Sequence, residues 1–146
     1  MEIRAKTGTI DGLASILILL LLGSPAVAQN PKPKDDYLRN IEACNALDRT
    51  AFEARIDGCT ALIDARQVTT TTALAVAYNN RGNAYAAKRD YDRAIQDFDQ
   101  SIKLNPTYTK PFNNSGVAYL KKGEYDLAIK AFNQAIRLNP DRKSVV

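Results

Sequence analysis

The sequence predicts an all-α fold built from antiparallel helix pairs, and three observations support that prediction. Residues 75–108 and 109–142 align with each other without a gap, and 16 of the 34 aligned positions are identical. Each half of this repeated unit carries apolar residues three and four positions apart, the spacing of an amphipathic helix with one buried face. Short polar turns separate the halves, and a proline follows each second half. We therefore expect two helix pairs in this part of the chain.

The ends of these helices are indicated by particular residues. The turn at residues 88–90 ends in an acidic residue, which can accept hydrogen bonds from the first amides of the next helix, and Glu124 holds the same place in the second unit. Pro106 and Pro140 lack an amide hydrogen and disfavour helix in the preceding residue, so each second helix is predicted to stop at the asparagine before its proline. The predicted buried stripes of the two second helices are Ile95, Phe98 and Ile102, and Ile129, Phe132 and Ile136.

The shared framework is Asn-Asn-x-Gly-x-Ala-Tyr, followed by Tyr-Asp-x-Ala-Ile-x-x-Phe and Ile-x-Leu-Asn-Pro. It resembles the tetratricopeptide repeat family. The small and aromatic places of the family pattern are filled by Gly82, Tyr85, Ala94 and Phe98, and by Gly116, Tyr119, Ala128 and Phe132. The resemblance implies a solenoid of helix pairs that curves into a right-handed superhelix, with a concave groove lined by the first helix of each repeat.

Residues 37–74 are predicted to form a divergent helix pair ahead of the two repeats, which gives about three pairs in all. Ile56 to Ile63 echoes the Tyr-Asp-x-Ala-Ile-x-x-Phe segment. The expected helices run from Tyr37 to Phe52 and from Ile56 to Arg66, with a turn around residues 54–57. Because roughly three repeats are needed for a stable stack, we expect this pair to be part of the fold.

Cys44 and Cys59 are the only two cysteines, and each falls on one helix of the divergent pair. We predict a disulfide between them, since an antiparallel pair can bring two such side chains within bridging distance if both face the helix seam. The alternative is two buried free cysteines that pack as small apolar residues. A catalytic thiol or a zinc site is disfavoured, because the sequence contains no histidine.

Residues 1–28 have the pattern of a signal peptide. Arg4 and Lys6 precede the apolar run 13–22, and small residues lead to an expected cleavage site between Ala28 and Gln29. The run is about half of the ~20 residues that a membrane-spanning helix needs. We therefore expect a bacterial type of export to the periplasm or beyond the cell, with no stable membrane span after cleavage. The short segments outside the helices are a flexible N-terminal segment at residues 29–36 and a tail at residues 143–146.

The charge and the residue types disfavour catalysis and nucleic-acid binding. The net charge is +4, and basic and acidic residues are interspersed along the chain, as on an ordinary solvated surface. The sequence shows no phosphate-binding glycine loop and no cluster with metal-ligand spacing. We expect a protein that is not an enzyme and needs neither a cofactor nor a metal.

The candidate binding residues follow from the resemblance, which places them on the first helix of each repeat. They are Val76, Asn79, Asn80, Asn83 and Ala87, and Lys110, Asn113, Asn114, Val117 and Lys121. Asparagine amides both donate and accept hydrogen bonds, so they can hold the backbone of an extended peptide. Alternatively, Asn80 and Asn114 belong to the repeat framework and bridge adjacent helices. The predicted function is an exported module that binds a protein or peptide partner in this groove.

A second hypothesis concerns the last helix of the array. Repeat arrays normally end in a helix with a polar outer face, whereas only residues 141–146 follow the second repeat here. Either this chain is a truncated form of a longer array, or the face around Phe132 and Ile136 is covered by a partner or by a second copy. If a second copy covers this face, the protein would be a structural one that assembles with itself.

Overall fold

The structure is a computed structural model, and it describes residues 33–46, 48, 50–65, 68 and 70–140. These residues form six α-helices and no strand, which confirms the predicted all-α class. The helices are α1 (Pro33–Asn45), α2 (Phe52–Asp64), α3 (Thr71–Ala87), α4 (Tyr91–Leu104), α5 (Thr109–Lys122) and α6 (Tyr125–Leu138). The predicted signal peptide, its cleavage site and the tail at residues 143–146 lie outside the described residues.

Helices that are adjacent in sequence pack against each other along the whole array. The pairs are α1 with α2, α3 with α4, and α5 with α6, and contacts of α2 with α3 and of α4 with α5 join one pair to the next. Within the described part of the chain, no helix is long and apolar enough to cross a membrane.

The second helices of the two repeats, α4 and α6, begin and end as the sequence indicates, with one difference at their N-terminal caps. The Asp90 carboxylate caps α4 by accepting a hydrogen bond from the amide of Arg93 at 3.2 Å, and α4 ends just before Asn105. Glu124 stands in the same place before α6 but makes no capping hydrogen bond. Its carboxylate instead pairs with the Lys122 ammonium at 2.7 Å.

The first helix pair has different boundaries from those expected. Helix α1 already begins at Pro33, where Asp35 and Asp36 in the first turn favour a helix N-terminus, and it ends at Asn45 rather than Phe52. Between α1 and α2, the Asp48 carboxylate accepts hydrogen bonds from the amide and the hydroxyl of Thr50 at 2.8 and 2.7 Å. This side chain competes with the helical backbone, so the chain leaves α1 earlier and enters α2 at Phe52.

Arg55 of α2 also contacts the backbone between α1 and α2. Its guanidinium donates to the carbonyl oxygens of Ala46 and Asp48, the second at 2.8 Å. The cation therefore satisfies carbonyls at and beyond the end of α1, where the helix offers no amide partner.

Cys44 and Cys59 form the predicted disulfide, with an S–S distance of 2.05 Å and a Cα–Cα distance of 4.6 Å. Both cysteines are buried in an apolar cluster with Leu62 of α2 and Ala77 of α3. The helices meet closely here, since a Cβ on Gly58 would lie 2.7 Å from Cβ of Ala43. Because Ala77 belongs to the next pair, the cluster joins the divergent pair to the repeats.

Replacement of both cysteines by alanine is expected to lower the free energy of unfolding by about 3 kcal/mol, since the bond closes a loop of 15 residues. Urea denaturation followed by circular dichroism measures the loss. The parent protein treated with a reductant is the matched comparison. Equal midpoints for the oxidised parent and the double variant would contradict this expectation.

A second apolar cluster lies between the two repeats. Ala94, Ile95 and Phe98 of α4 pack against Ala118 of α5, with tyrosines at the margin. Inside the α3–α4 pair, a Cβ on Gly82 would lie 2.6 Å from Cε1 of Phe98, so only glycine leaves room for the ring. The small and aromatic places of the repeat thus set how closely the paired helices approach.

Candidate partner-binding groove

The odd-numbered helices α1, α3 and α5 form the inner layer of the array. Helix α1 contacts α3, and α3 contacts α5, whereas no two even-numbered helices come into contact among the described residues. When two layers of helices curve together, the helices of the concave layer lie closer to one another. The first helices of the pairs therefore line the concave surface, as the resemblance implied.

Two stripes on α3 and α5 carry the candidate residues in matching register. Each stripe has the spacing i, i+4, i+7 and i+11, which keeps its members on one face of a helix. Their side chains are half-buried to exposed. The stripes are Val76, Asn80, Asn83 and Ala87 on α3, and Lys110, Asn114, Val117 and Lys121 on α5. Corresponding members are 34 residues apart, so the structure brings the predicted groove residues together on adjacent helices.

Asparagine side chains connect the three inner helices to one another. The amide nitrogen of Asn114 donates to the side-chain oxygen of Asn79 at 2.9 Å, and that of Asn80 donates to the side-chain oxygen of Asn45 at 3.0 Å. Asn79 in turn donates to Asn80 at 3.4 Å. This asparagine ladder fixes the spacing of the inner layer, and it matches the alternative in which these residues bridge adjacent helices.

Asn79 is only 2% exposed, although it was expected among the groove residues. Its oxygen accepts the hydrogen bond from Asn114, so its side chain lies between α3 and α5 instead of facing solvent. Buried amides of this kind are costly unless they are paired, and here the ladder supplies the partner. Asn79 therefore serves the packing of the layer.

The exposed members of the surface are concentrated on α5. Lys110, Asn113, Val117 and Lys121 are all exposed to solvent. Neither Lys110 nor Lys121 forms an ion pair with a described residue, because the ion pairs in the described part of the chain involve other basic residues. Two ammonium groups, one amide and one apolar side chain are thus presented together, an arrangement that can bind a partner's carboxylates and backbone.

Comparison with known proteins agrees with this geometry. Residues 75–108 and 110–142 match the family model of the tetratricopeptide repeat. The fold is a tetratricopeptide-like solenoid. No curated protein matches the chain in sequence.

Solved tetratricopeptide domains superpose on most of the chain. The second such domain of human RPAP3, in complex with an HSP70 peptide, has a TM-score of 0.65 and 26% identity, and the match covers 77% of this chain and 90% of that one. The second domain of Spaghetti (RPAP3), bound to an HSP90 peptide, has a TM-score of 0.62 and 25% identity, with 73% and 94% covered. The Sgt2 domain from Aspergillus fumigatus, at 24% identity, has a TM-score of 0.62 and 79% and 72% coverage, and supports the fold alone.

One edge of the tetratricopeptide-like solenoid carries a row of ion pairs between successive helix pairs. The Lys122 ammonium at the end of α5 lies 2.7 Å from the Asp92 carboxylate in the first turn of α4, and Lys88 after α3 pairs with Glu53 in the first turn of α2. Hydrogen bonds to Asp92 and Glu124 raise the pKa of Lys122. These exposed pairs each contribute little stability, but they mark where the end of a first helix meets the start of the preceding second helix.

A shallow polar depression of about 360 Å³ lies along this edge, lined by Asp90, Asp92 and neighbouring basic side chains. Both acids are already engaged, Asp92 with Lys122 and Asp90 with Arg93, whose hydrogen bond lowers the pKa of Asp90. Among the described residues, no group of three His, Cys, Asp or Glu side chains could hold a metal ion. The capping and pairing roles account for these acids.

Sequence reasoning missed a buried polar connection in the solenoid. The Arg81 guanidinium makes two hydrogen bonds of 2.8 Å to the Asp97 carboxylate and one of 3.0 Å to the hydroxyl of Thr60 in α2. The alignment of the two repeats does indicate this connection, because Arg81 and Asp97 are both replaced 34 residues later, by Ser115 and Ala131. Two coordinated departures from a repeat indicate a contact specific to one copy. Asn45 at the end of the ladder was also missed.

Proposed function

We propose that this protein is an exported tetratricopeptide module that binds an extended segment of a partner protein along α3 and α5. The observation that carries the proposal is the pair of stripes in matching register, with exposed Lys110, Val117 and Lys121 on α5. The two RPAP3 domains, at 25% and 26% identity, were solved with peptides bound, which supports a peptide as the partner of a similar surface.

The dimensions and charges of the α5 stripe specify the kind of segment. From Lys110 to Lys121 the helix rises by about 16 Å, a length spanned by roughly five residues of an extended chain. Two ammonium groups at the ends favour acidic side chains in the partner. Asn83 and Asn113, which make no side-chain hydrogen bond to the described residues, can pair with its backbone.

Export is the second part of the proposal. Its support is the predicted signal peptide, together with a buried disulfide that persists in oxidising compartments and is rare in the cytosol. Fractionation of cells, with the thiol state of Cys44 and Cys59 measured by alkylation, tests this part separately from binding.

A photo-reactive amino acid at Val117 should capture the partner, because this side chain is exposed at the middle of the α5 stripe. The matched control carries the same amino acid at Gln96, which is exposed on α4 in the outer layer. Cross-linked products are compared by mass spectrometry after irradiation of the envelope fraction. A product that forms at Val117 and not at Gln96 is expected. Identical products at the two positions, or none at Val117, would contradict the groove as the binding surface.

Reversal of the two groove charges should weaken binding of that captured partner. Lys110→Glu together with Lys121→Glu is expected to raise the Kd by about tenfold at low salt, with a smaller effect at high salt, because the lost contacts are exposed ion pairs. Lys103→Glu changes an exposed lysine of α4 and is the control. Titration by fluorescence anisotropy measures the Kd, and equal values for the parent and the double variant would exclude the lysines from binding.

A further inference from the structure

Helix α6 exposes an apolar stripe on its outer face. Tyr125, Ile129, Phe132 and Ile136 are spaced by four, three and four residues, which is the spacing of a helix-pairing seam. Ile129 is 58% exposed, whereas Ile95, its equivalent 34 residues earlier on α4, is 8% exposed. The difference arises because α5 covers the α4 stripe, while among the described helices α6 contacts α5 alone.

The covered α4 stripe shows what such a face accepts. Helix α5 follows α4 through a short turn and runs antiparallel to it, and its C-terminal Lys122 pairs with Asp92 in the first turn of α4. The equivalent of Asp92 on α6 is Asp126, which is exposed and forms no ion pair with a described residue. A suitable occupant is therefore an antiparallel helix with an apolar stripe and a cation in its last turn.

We propose that this occupant is α6 of a second copy, so that two molecules pair through antiparallel α6 helices about a two-fold axis. Helix α6 meets each requirement itself: it carries the apolar stripe, and Arg137 lies in its last turn. Antiparallel pairing places Asp126 of each copy beside Arg137 of the other, and it also opposes the two helix dipoles favourably. The surface is thus complementary to itself, as a two-fold interface requires.

Flanking residues are consistent with this geometry. Asp126, Asn133 and Arg137 lie along one side of the stripe and are exposed, while the other side is occupied by Ala128 and Ala135, which are buried. Polar residues beside an apolar seam are typical of paired helices in solution. The proposal is independent of the groove, because the stripe lies on α6, in the outer layer.

Sedimentation equilibrium of the purified protein, from about 1 to 300 μM, tests the proposal. The parent is expected to change from monomer to dimer over this range, and Ile129→Glu is expected to raise the dimer Kd by about 100-fold, since two buried carboxylates would face each other at the axis. Leu127→Glu is the matched control, because Leu127 is exposed on the opposite side of the same helix. A parent that stays monomeric throughout, or an unchanged Kd for Ile129→Glu, would overturn the proposal.

A charge exchange tests the antiparallel orientation. Asp126→Arg should weaken the dimer about tenfold, and the addition of Arg137→Asp should restore the parent Kd to within about threefold, because the two-fold axis pairs each exchanged residue with its complement. Unchanged circular dichroism would show that both variants remain folded. If the double variant is no better than Asp126→Arg, or if the mass continues to grow beyond a dimer, the face has a different occupant and the two-fold pairing is wrong.

Discussion

Asp97→Ala is expected to lower the free energy of unfolding by about 4 kcal/mol, because it leaves the Arg81 guanidinium without its partner. The Asp97 carboxylate is 5% exposed in the structure and accepts both hydrogen bonds of the pair at 2.8 Å. The pairing with Asp97 raises the pKa of Arg81. Without that pairing the guanidinium still stays charged at neutral pH, because arginine is not deprotonated in proteins. An uncompensated charge would then remain among the packed helices α2, α3 and α4.

The second repeat supplies the control for this experiment. It has Ser115 and Ala131 in the places of the pair, so Arg81→Ser combined with Asp97→Ala copies an arrangement that the same fold already contains. Removal of both charges should recover more than half of the loss, since a polar pair replaced as a unit costs far less than one left half-occupied. Chemical denaturation at neutral pH measures each midpoint. A double variant less stable than Asp97→Ala would show that the buried charge is not the cause.

The helices of the two repeats were predictable because the spacing of apolar residues within each helix and the identity between the repeats indicate the same helix boundaries. The three- and four-residue spacing of apolar residues, the acidic turn and the proline locate α4 and α6 to within a residue. The end of α1 was not predictable in that way. The end of α1 depends on the Asp48 carboxylate and on Arg55 of the following helix. Arg55 can donate a hydrogen bond to the carbonyl oxygen of Asp48 only after the two helices have paired.

Burial of the second helices shows a further limit of sequence reasoning. Ile95 and Ile129 have the same neighbours in the motif Tyr-Asp-x-Ala-Ile, and their helices have the same length. One is buried and the other is exposed because a covering helix belongs to the neighbouring unit and not to the local sequence. Periodicity identifies the apolar face, and tertiary contacts decide what covers it.

The candidate groove was likewise predictable only in part. The register of the first helices placed Asn80, Asn114 and Val117 on the inner surface. Burial of Asn79 was not predictable, because it depends on a hydrogen bond to a residue 35 positions away on α5. Residues of the repeat framework and residues available to a ligand share one helix face, and only the contacts distinguish them.

Phe98→Ala is expected to lower the free energy of unfolding by about 4 kcal/mol, through lost burial and the cavity that remains. The ring is 1% exposed, fills the space opposite Gly82 and lies in the cluster that joins α4 to α5. The neighbouring backbone is held by hydrogen bonds such as that from the Ser101 hydroxyl to the carbonyl of Ala75 at 2.6 Å, so collapse into the cavity is restricted.

Phe132→Ala removes the same ring from the same motif and provides the comparison. Its ring packs opposite Gly116 in the same way, yet it is only partly buried because no described helix covers the outer side of α6. We expect a loss of about 2 kcal/mol in dilute solution, half that at Phe98, since less area returns to water. Equal losses at the two positions would mean that the covering helix adds nothing to the core. If α6 pairs with a second copy, the loss at Phe132 should increase with protein concentration while the loss at Phe98 stays constant, because only Phe132 contributes to the interface.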